Sequence, residues 1–235
     1  MKTFITFGGG GENYVHACKR LVRQINSLEL FDHVQYYTDY DLQQDTEFWS
    51  LHKHFIESNA KGYGYWLWKP YIIMKTLENM KENDILLYLD CGCEINIQKK
   101  EKIKDLLNDM KKEYIIGSTT IYPEKNWVKK DIVLYMNMDK PEYMETNQRQ
   151  AGTNFFRKCD ITVQFVQEWY QISSNYCLLD DSPSIMPNID SFREHRHDQA
   201  IFSLLSKKYN IYSSITLRDA VEIIRNKSGH FFFQS

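Results

Sequence analysis

Ile85-Leu86-Leu87-Tyr88-Leu89 is an unbroken apolar run that stops at Asp90 and continues as Cys91, Gly92, Cys93 and Glu94. A strand without polar alternation belongs in a sheet covered on both faces, so this run directs the chain towards helices packed on either side of a largely parallel sheet. The rest of the pattern agrees. "KTFITFG" reads as a first strand, and "YVHACKRLVRQINSL" from Tyr14 as a helix, with Val15, Cys18, Leu21, Val22 and Ile25 at helical spacing. A second strand is predicted over 33–38, helices over 47–58 and 70–80, a helix over 99–112, and strands over 114–119 and 153–158. Two further helices, 161–176 and 197–209, are separated by a Pro-bearing loop. Such alternation of strand and helix predicts one α/β domain over 1–235, with no internal repeat or linker.

Composition narrows the classes. With 235 residues, 43% hydrophobic and 14% aromatic, the chain can bury a sizeable core. A formal charge of −2 gives no continuous basic footprint for nucleic acid. No apolar run reaches the roughly 18 to 20 residues that span a bilayer, and the start does not read as a signal peptide, so an unsecreted, cytoplasmic protein is expected. Five cysteines, an odd number in a chain of this size, suit a reducing compartment.

Asp90 ends its strand where ligands bind in open α/β sheets, outside the carboxyl ends of the strands. A carboxylate there suits Mg²⁺ or Mn²⁺, ions that complete their shells with diphosphate oxygens and water. It could equally be the acid that opens a turn. Gly92 would permit close backbone approach, and Glu94 could bind the ion, orient Asp90 or face solvent. Zinc takes four ligands, and the single C-x-C pair has no partner, so Cys91 and Cys93 read as small fillers on opposite sides of the strand's extension. In "KGYGYWLWKPYII", Lys69 precedes Pro70 at a helix start, a place for an anion, while Tyr63, Trp66 and Trp68 could face a sugar or base, or be core. "FREHRHDQAIF" gathers Arg193, Arg196, His195, His197, Asp198 and Gln199, with Asp198 either a helix cap or a site acid.

Together "GYGYWLWKPYII", "DILLYLDCGCEI" and "DDSPSIMPNIDSFREHRHDQAIFSLL" resemble the GT-A glycosyltransferases of bacterial capsule loci and large DNA viruses. "TFGGGGENYVHACKRL" and "RQAGTNFFRK" extend the resemblance over most of the chain. It implies a single GT-A domain, Rossmann-like, of the nucleotide-diphospho-sugar transferase fold, with a mainly parallel central sheet flanked by helices. It also implies a nucleotide-sugar donor, UDP-sugar favoured, a glycan or other hydroxyl acceptor, Mn²⁺ or Mg²⁺, a role in polysaccharide biosynthesis, and a cytoplasmic site, that of the host cell if viral. Asp90-Cys91-Gly92 takes the place of the Asp-x-Asp motif, keeping its first acid and carrying glycine for the second. Glu94 or the late His230 would then complete the metal site with Asp90, or metal dependence would be weaker. The resemblance further implies donor contacts at Phe7, Gly8, Tyr14, Trp66, Lys69, Gly92, Gln150, Gly152 and Arg193, with His197 and Asp198 at the sugar and Asp198 as candidate base.

Two rivals remain in the residues. Gly92 in place of an acid also suits a catalytically impaired nucleotide-sugar or glycan-binding module of the same fold. A nucleotidyltransferase would need a basic Gly-rich loop near the start, and "FGGGGENYVH" has no Lys or Arg. A dinucleotide-binding reading is poor, because the G-x-G-x-x-G context is missing and Asp32 and Asp39 do not fit the ribose spacing well.

Overall fold

The computed structural model describes residues 1–218 and 220–230. Six strands form the central sheet in the order β2-β1-β3-β6-β5-β7: β1 Lys2–Gly8, β2 His33–Thr38, β3 Ile85–Leu89, β5 Ile115–Pro123, β6 Asn147–Arg157 and β7 Tyr212–Thr216. β2, β1 and β3 are mutually parallel, β5 and β7 are parallel, and β6 is antiparallel to β3 and β5. All six strands except β6 therefore run one way, the mainly parallel sheet that the apolar run predicts. A two-stranded ribbon, β4 Cys93–Ile95 with β8 Val221–Ile223, is appended beyond β3. Among the described residues no helix is long and apolar enough to cross a membrane.

Period two explains why the run on β3 has no polar residue. Leu86 and Tyr88 enter the core on one face, with helices Trp68–Glu78, Asp160–Ser173 and His197–Tyr209; Ile85, Leu87 and Leu89 enter the other, with Glu12–Leu28 and Lys100–Asp109. Asp90, two residues beyond Tyr88, inherits the first face. Helices 12–28, 46–58 and 197–209 follow the spacing in the sequence within two residues. The segment 149–154, which carries the expected donor contacts Gln150 and Gly152, lies within β6, where the chain crosses back between β3 and β5.

On the first face His52 is buried between two phenols, with Nδ1 2.9 Å from Tyr176 Oη and Nε2 2.7 Å from Tyr170 Oη. Burial lowers its pKa to about 4. The unfolded chain then binds the proton more tightly than the folded one, so this stability is present above about pH 6.5 and lost as pH falls towards 4. The shift corresponds to about 3 kcal/mol. Urea midpoints are expected to fall across that window, and less steeply in His52→Gln; parallel pH profiles for the two proteins would contradict this.

Candidate active site

Three residues singled out separately in the sequence meet at the carboxyl end of β3. Lys69 Nζ lies 3.2 Å from Asp90 Oδ1 and 2.8 Å from Asp198 Oδ2. Helix Trp68–Glu78 brings Lys69 in its first turn, and helix His197–Tyr209 brings Asp198 in its first turn. Both helices cover the face that Tyr88 and Asp90 share. Tyr88, which sequence reading treats only as core, donates its hydroxyl to Asp90 Oδ1 at 2.7 Å. Its signal was available: it stands two residues before Asp90, on the same side of the strand.

Exposure separates the two acids. The Asp90 side chain is 42% exposed, whereas Lys69 and Asp198 are at 3% and 5%. Burial pulls the Lys69 pKa down, but Asp198 and Asp90 outweigh it and the ammonium is held charged. Burial raises the Asp198 carboxyl to about 6 in spite of Lys69. The cluster carries one excess negative charge, since one ammonium faces two carboxylates. Lys69 is thus taken up by acids, and does not stand open at a helix end for phosphate as the sequence suggests.

Gly152 sits across from Asp90 in β6 and accepts the Asp90 N–H at 2.8 Å. A Cβ on it would lie 2.1 Å from Asp90 Oδ2, so only glycine leaves the carboxylate its place. Gln150 is nearby in β6, where its carbonyl accepts from Asn154 Nδ2 at 2.8 Å and its side chain from Thr153 Oγ1. The close approach at Gly92 is to the chain itself: a Cβ there would lie 3.0 Å from Arg225 Cα, and the Gly92 carbonyl accepts the Asn226 N–H at 2.9 Å.

The other expected donor contacts are placed differently. Phe7 is buried and stacked on Trp68, with ring centroids 3.9 Å apart. Gly8 is needed by the first helix, because a Cβ would lie 2.5 Å from the Tyr14 carbonyl and 2.7 Å from Cys18 Sγ. Tyr14 packs beside Ala17, Cys18 and Cys91, joining the turn after β1 to the turn after β3. Arg193 is exposed on its loop, anchored through its N–H to the Asn126 carbonyl at 2.8 Å.

Between Lys61 and Leu67 the chain makes an element that spacing does not reveal. Gly62, Tyr63, Gly64, Tyr65 and Trp66 all have φ between 53° and 80°. Each non-glycine in this left-handed turn costs about 1 kcal/mol or more. The turn presses Tyr63 against Gly10, in the loop after β1, and stacks Trp66 on His197 at 5.5 Å. Gly62 is required under the Trp66 ring, where a Cβ would lie 2.5 Å from ring carbon. Trp66 is therefore covered by Gly62 on one side and by His197 on another, joining two walls of the site where an open platform was expected. His197 donates Nδ1–H to the Leu179 carbonyl at 2.8 Å, its Nε2 is 3.6 Å from Asp181 Oδ1, and burial lowers its pKa, which keeps it neutral.

The three expected metal ligands are not brought together. Glu94 is buried, its Oε1 accepting from Asn226 Nδ2 and lying 3.9 Å from Arg20 Nη1. His230 is exposed on the C-terminal segment. Among the described residues no group of three His, Cys, Asp or Glu could hold an ion. What remains is one half-open carboxylate, Asp90, in a cluster of net negative charge. That donor set fits Mn²⁺ or Mg²⁺ only as an ion held mainly by its ligand's own phosphates and water. Sequence reading also missed Arg20, whose place among the buried positions Ala17, Leu21 and Gln24 of its helix was the available signal.

No protein-family model matches the chain, and no curated protein is similar to it in sequence. Among solved structures, the apo form of mouse xyloside xylosyltransferase 1 is similar at 10% identity and a TM-score of 0.43, over 91% of this chain and 84% of that one.

Proposed function

We propose that the chain is a glycosyltransferase that moves a sugar from a nucleotide-diphosphate sugar, UDP-sugar favoured, to a hydroxyl of a glycan or similar acceptor. The observation that carries this reading is the Lys69–Asp90–Asp198 cluster at the carboxyl end of β3. Transfer requires the bond from the anomeric carbon to the diphosphate oxygen to break while the acceptor oxygen bonds to that carbon and gives up its proton, which passes to the departing diphosphate or to solvent. Positive charge then develops on the sugar, and fixed carboxylates close to it stabilise that charge without reorganising. Asp90 is the acid open to the sugar; Tyr88 and Lys69 hold its orientation, and Asp198 holds Lys69. In this proposal Asp198 and His197 act from behind the site, Asp198 on Lys69 and His197 on the loop at Leu179. Mn²⁺ or Mg²⁺, when bound, would neutralise the diphosphate, with Asp90 as its protein ligand.

Nucleoside diphosphate release from a panel of UDP-, GDP- and dTDP-sugars, with Mn²⁺ or with EDTA, tests the reading beside an Asp90→Ala control. Release of one nucleoside diphosphate, abolished by the substitution, is expected. Binding of a donor without any turnover, in the presence of a range of hydroxyl acceptors, would favour the binding module that Gly92 and the sequestered Glu94 also suit. No binding at all would overturn both.

The rate should also depend on pH. Protonating Asp198 removes a charge from Lys69, so kcat/KM is expected to fall with unit slope below about pH 6. A profile flat down to pH 5 would remove Asp198 from the mechanism.

A further inference from the structure

His197 precedes Asp198 on helix His197–Tyr209, and its ring meets Asp181 as one hydrogen-bond acceptor facing another. The Leu179 carbonyl can only accept, so the neutral ring carries its proton on Nδ1, 2.8 Å away, and Nε2 is a lone pair. That lone pair lies 3.6 Å from Asp181 Oδ1. Burial pushes the Asp181 carboxyl up, but Lys61, donating to Oδ2 at 2.9 Å, outweighs it and keeps the group ionised. Among the described residues no N–H or O–H donates to His197 Nε2.

The surroundings hold this pair in place. The His197 ring lies 4.8 Å from Tyr65 and 5.5 Å from Trp66 between centroids, so Nε2 cannot turn away without losing both rings and the Leu179 carbonyl. The His197 side chain is 5% exposed and that of Asp181 46%, which puts a nearly buried lone pair beside a half-open carboxylate. An acceptor buried without a donor is unfavourable, and a ligand that brings donors to both atoms relieves it. Within the left-handed turn, Tyr63 meets Gly10 in the loop after β1, whereas Tyr65 and Trp66 meet His197. The turn thus stands between the pair and that loop, where the nucleotide of an open α/β site belongs.

We propose that Asp181 and His197 Nε2 bind two neighbouring hydroxyls of a sugar acceptor, an inference that rests on the transferase reading. Each hydroxyl donates to one of the two atoms, and a sugar ring offers such donors side by side. Its apolar face also suits the half-buried rings of Tyr65 and Trp66. A diphosphate brings no donors near neutral pH and is repelled by the carboxylate, while Lys61 already supplies the positive charge that Asp181 needs. His197 Nδ1 holds the loop at Leu179 from behind, and Nε2 serves the open side. The pair orients the acceptor sugar, and the attacking oxygen is a further hydroxyl of that sugar.

Asp181→Asn tests this, because its amide can donate to His197 Nε2 and so supplies from the protein the donor assigned to the ligand. The ion pair it gives up is nearly half exposed on both sides and contributes little to stability. Transfer is read as nucleoside diphosphate release from the donor that the release assay selects, with Mn²⁺ and p-nitrophenyl glycosides of glucose, galactose, mannose and xylose as acceptors, each also as its monodeoxy analogues. The variant is expected to raise the acceptor KM by about tenfold or more, to leave the donor KM within about twofold, and not to lower the thermal midpoint. In the parent, removing either of two adjacent hydroxyls should raise the acceptor KM similarly, and the variant should feel that removal far less. An unchanged acceptor KM, a change in the donor KM instead, or a loss that no deoxy analogue reproduces overturns the inference and leaves the transferase reading standing. So does a parent whose release no glycoside of the panel accelerates. A parent that releases no nucleoside diphosphate from any donor overturns the reading beneath it.

Discussion

Lys69→Met is expected to destabilise the protein by about 3 kcal/mol or more at pH 8 and to lower nucleotide release by on the order of a hundredfold. The side chain is nearly volume-conserving, so the loss is electrostatic. Without the ammonium, the Asp198 carboxylate is buried with no counter-charge and Asp90 stands beside it as a second negative group. Asp198 would respond by keeping its proton to higher pH, and the penalty should therefore shrink at pH 5. Urea unfolding of Lys69→Met, Asp198→Asn and the double variant at both pH values measures this. The double variant should recover much of the stability lost by Lys69→Met at pH 8, because it removes the uncompensated charge, yet it should not recover release. A Lys69→Met protein as stable as its parent at pH 8 would show that the ion pairs do not matter to the fold.

Gly152→Ala is expected to reproduce most of the functional loss of Asp90→Ala from the neighbouring strand. The new methyl would lie 2.1 Å from Asp90 Oδ2 and 2.7 Å from its Cγ. The carboxylate must swing away, and it leaves Tyr88 and Lys69 when it does. Overpacking of this kind costs roughly 1 to 3 kcal/mol, so the protein should still fold. Release is expected to fall by about two orders of magnitude, the scale of losing one preorganised electrostatic group. A thermal melt confirms folding, and the release assay reads the effect. If Gly152→Ala retained full activity, the position of Asp90 seen here would not be the functional one. Gly92→Ala is the instructive comparison, because its methyl would press on the Arg225 backbone and leave Asp90 untouched. Its release activity should therefore stay well above that of Gly152→Ala.

Much of the scaffold was legible locally. The unalternated run at 85–89 announced a strand buried on both faces, and the spacing over 197–209 announced the helix that carries Asp198, because burial and period are recorded in adjacent residues. Lys69, Asp90 and Asp198 were each recognisable as acids or bases at the ends of such elements. Their pairing was not, since nothing near Lys69 in the chain states that two acids from other elements will occupy it. The same limit explains Gly8 and Gly92, read as glycines for a ligand and found to be glycines for a helix and for the C-terminal segment. It also explains Glu94, which was free to be a ligand on paper and is held by Arg20 and Asn226 in the fold.

The left-handed turn at 62–66 lies further from local reading, because three of its residues are aromatic and disfavour that backbone. Contacts with Gly10 and His197, distant in the chain, offset its cost. The sequence by itself determined the α/β class, most of the elements, and the acid at the end of β3, all consequences of short-range periodicity and burial. Tertiary structure alone decided which ammonium meets which carboxylate, which glycine yields space to which atom, and which nitrogen of His197 is left facing a carboxylate. Those outcomes depend on distances between segments that share no local pattern.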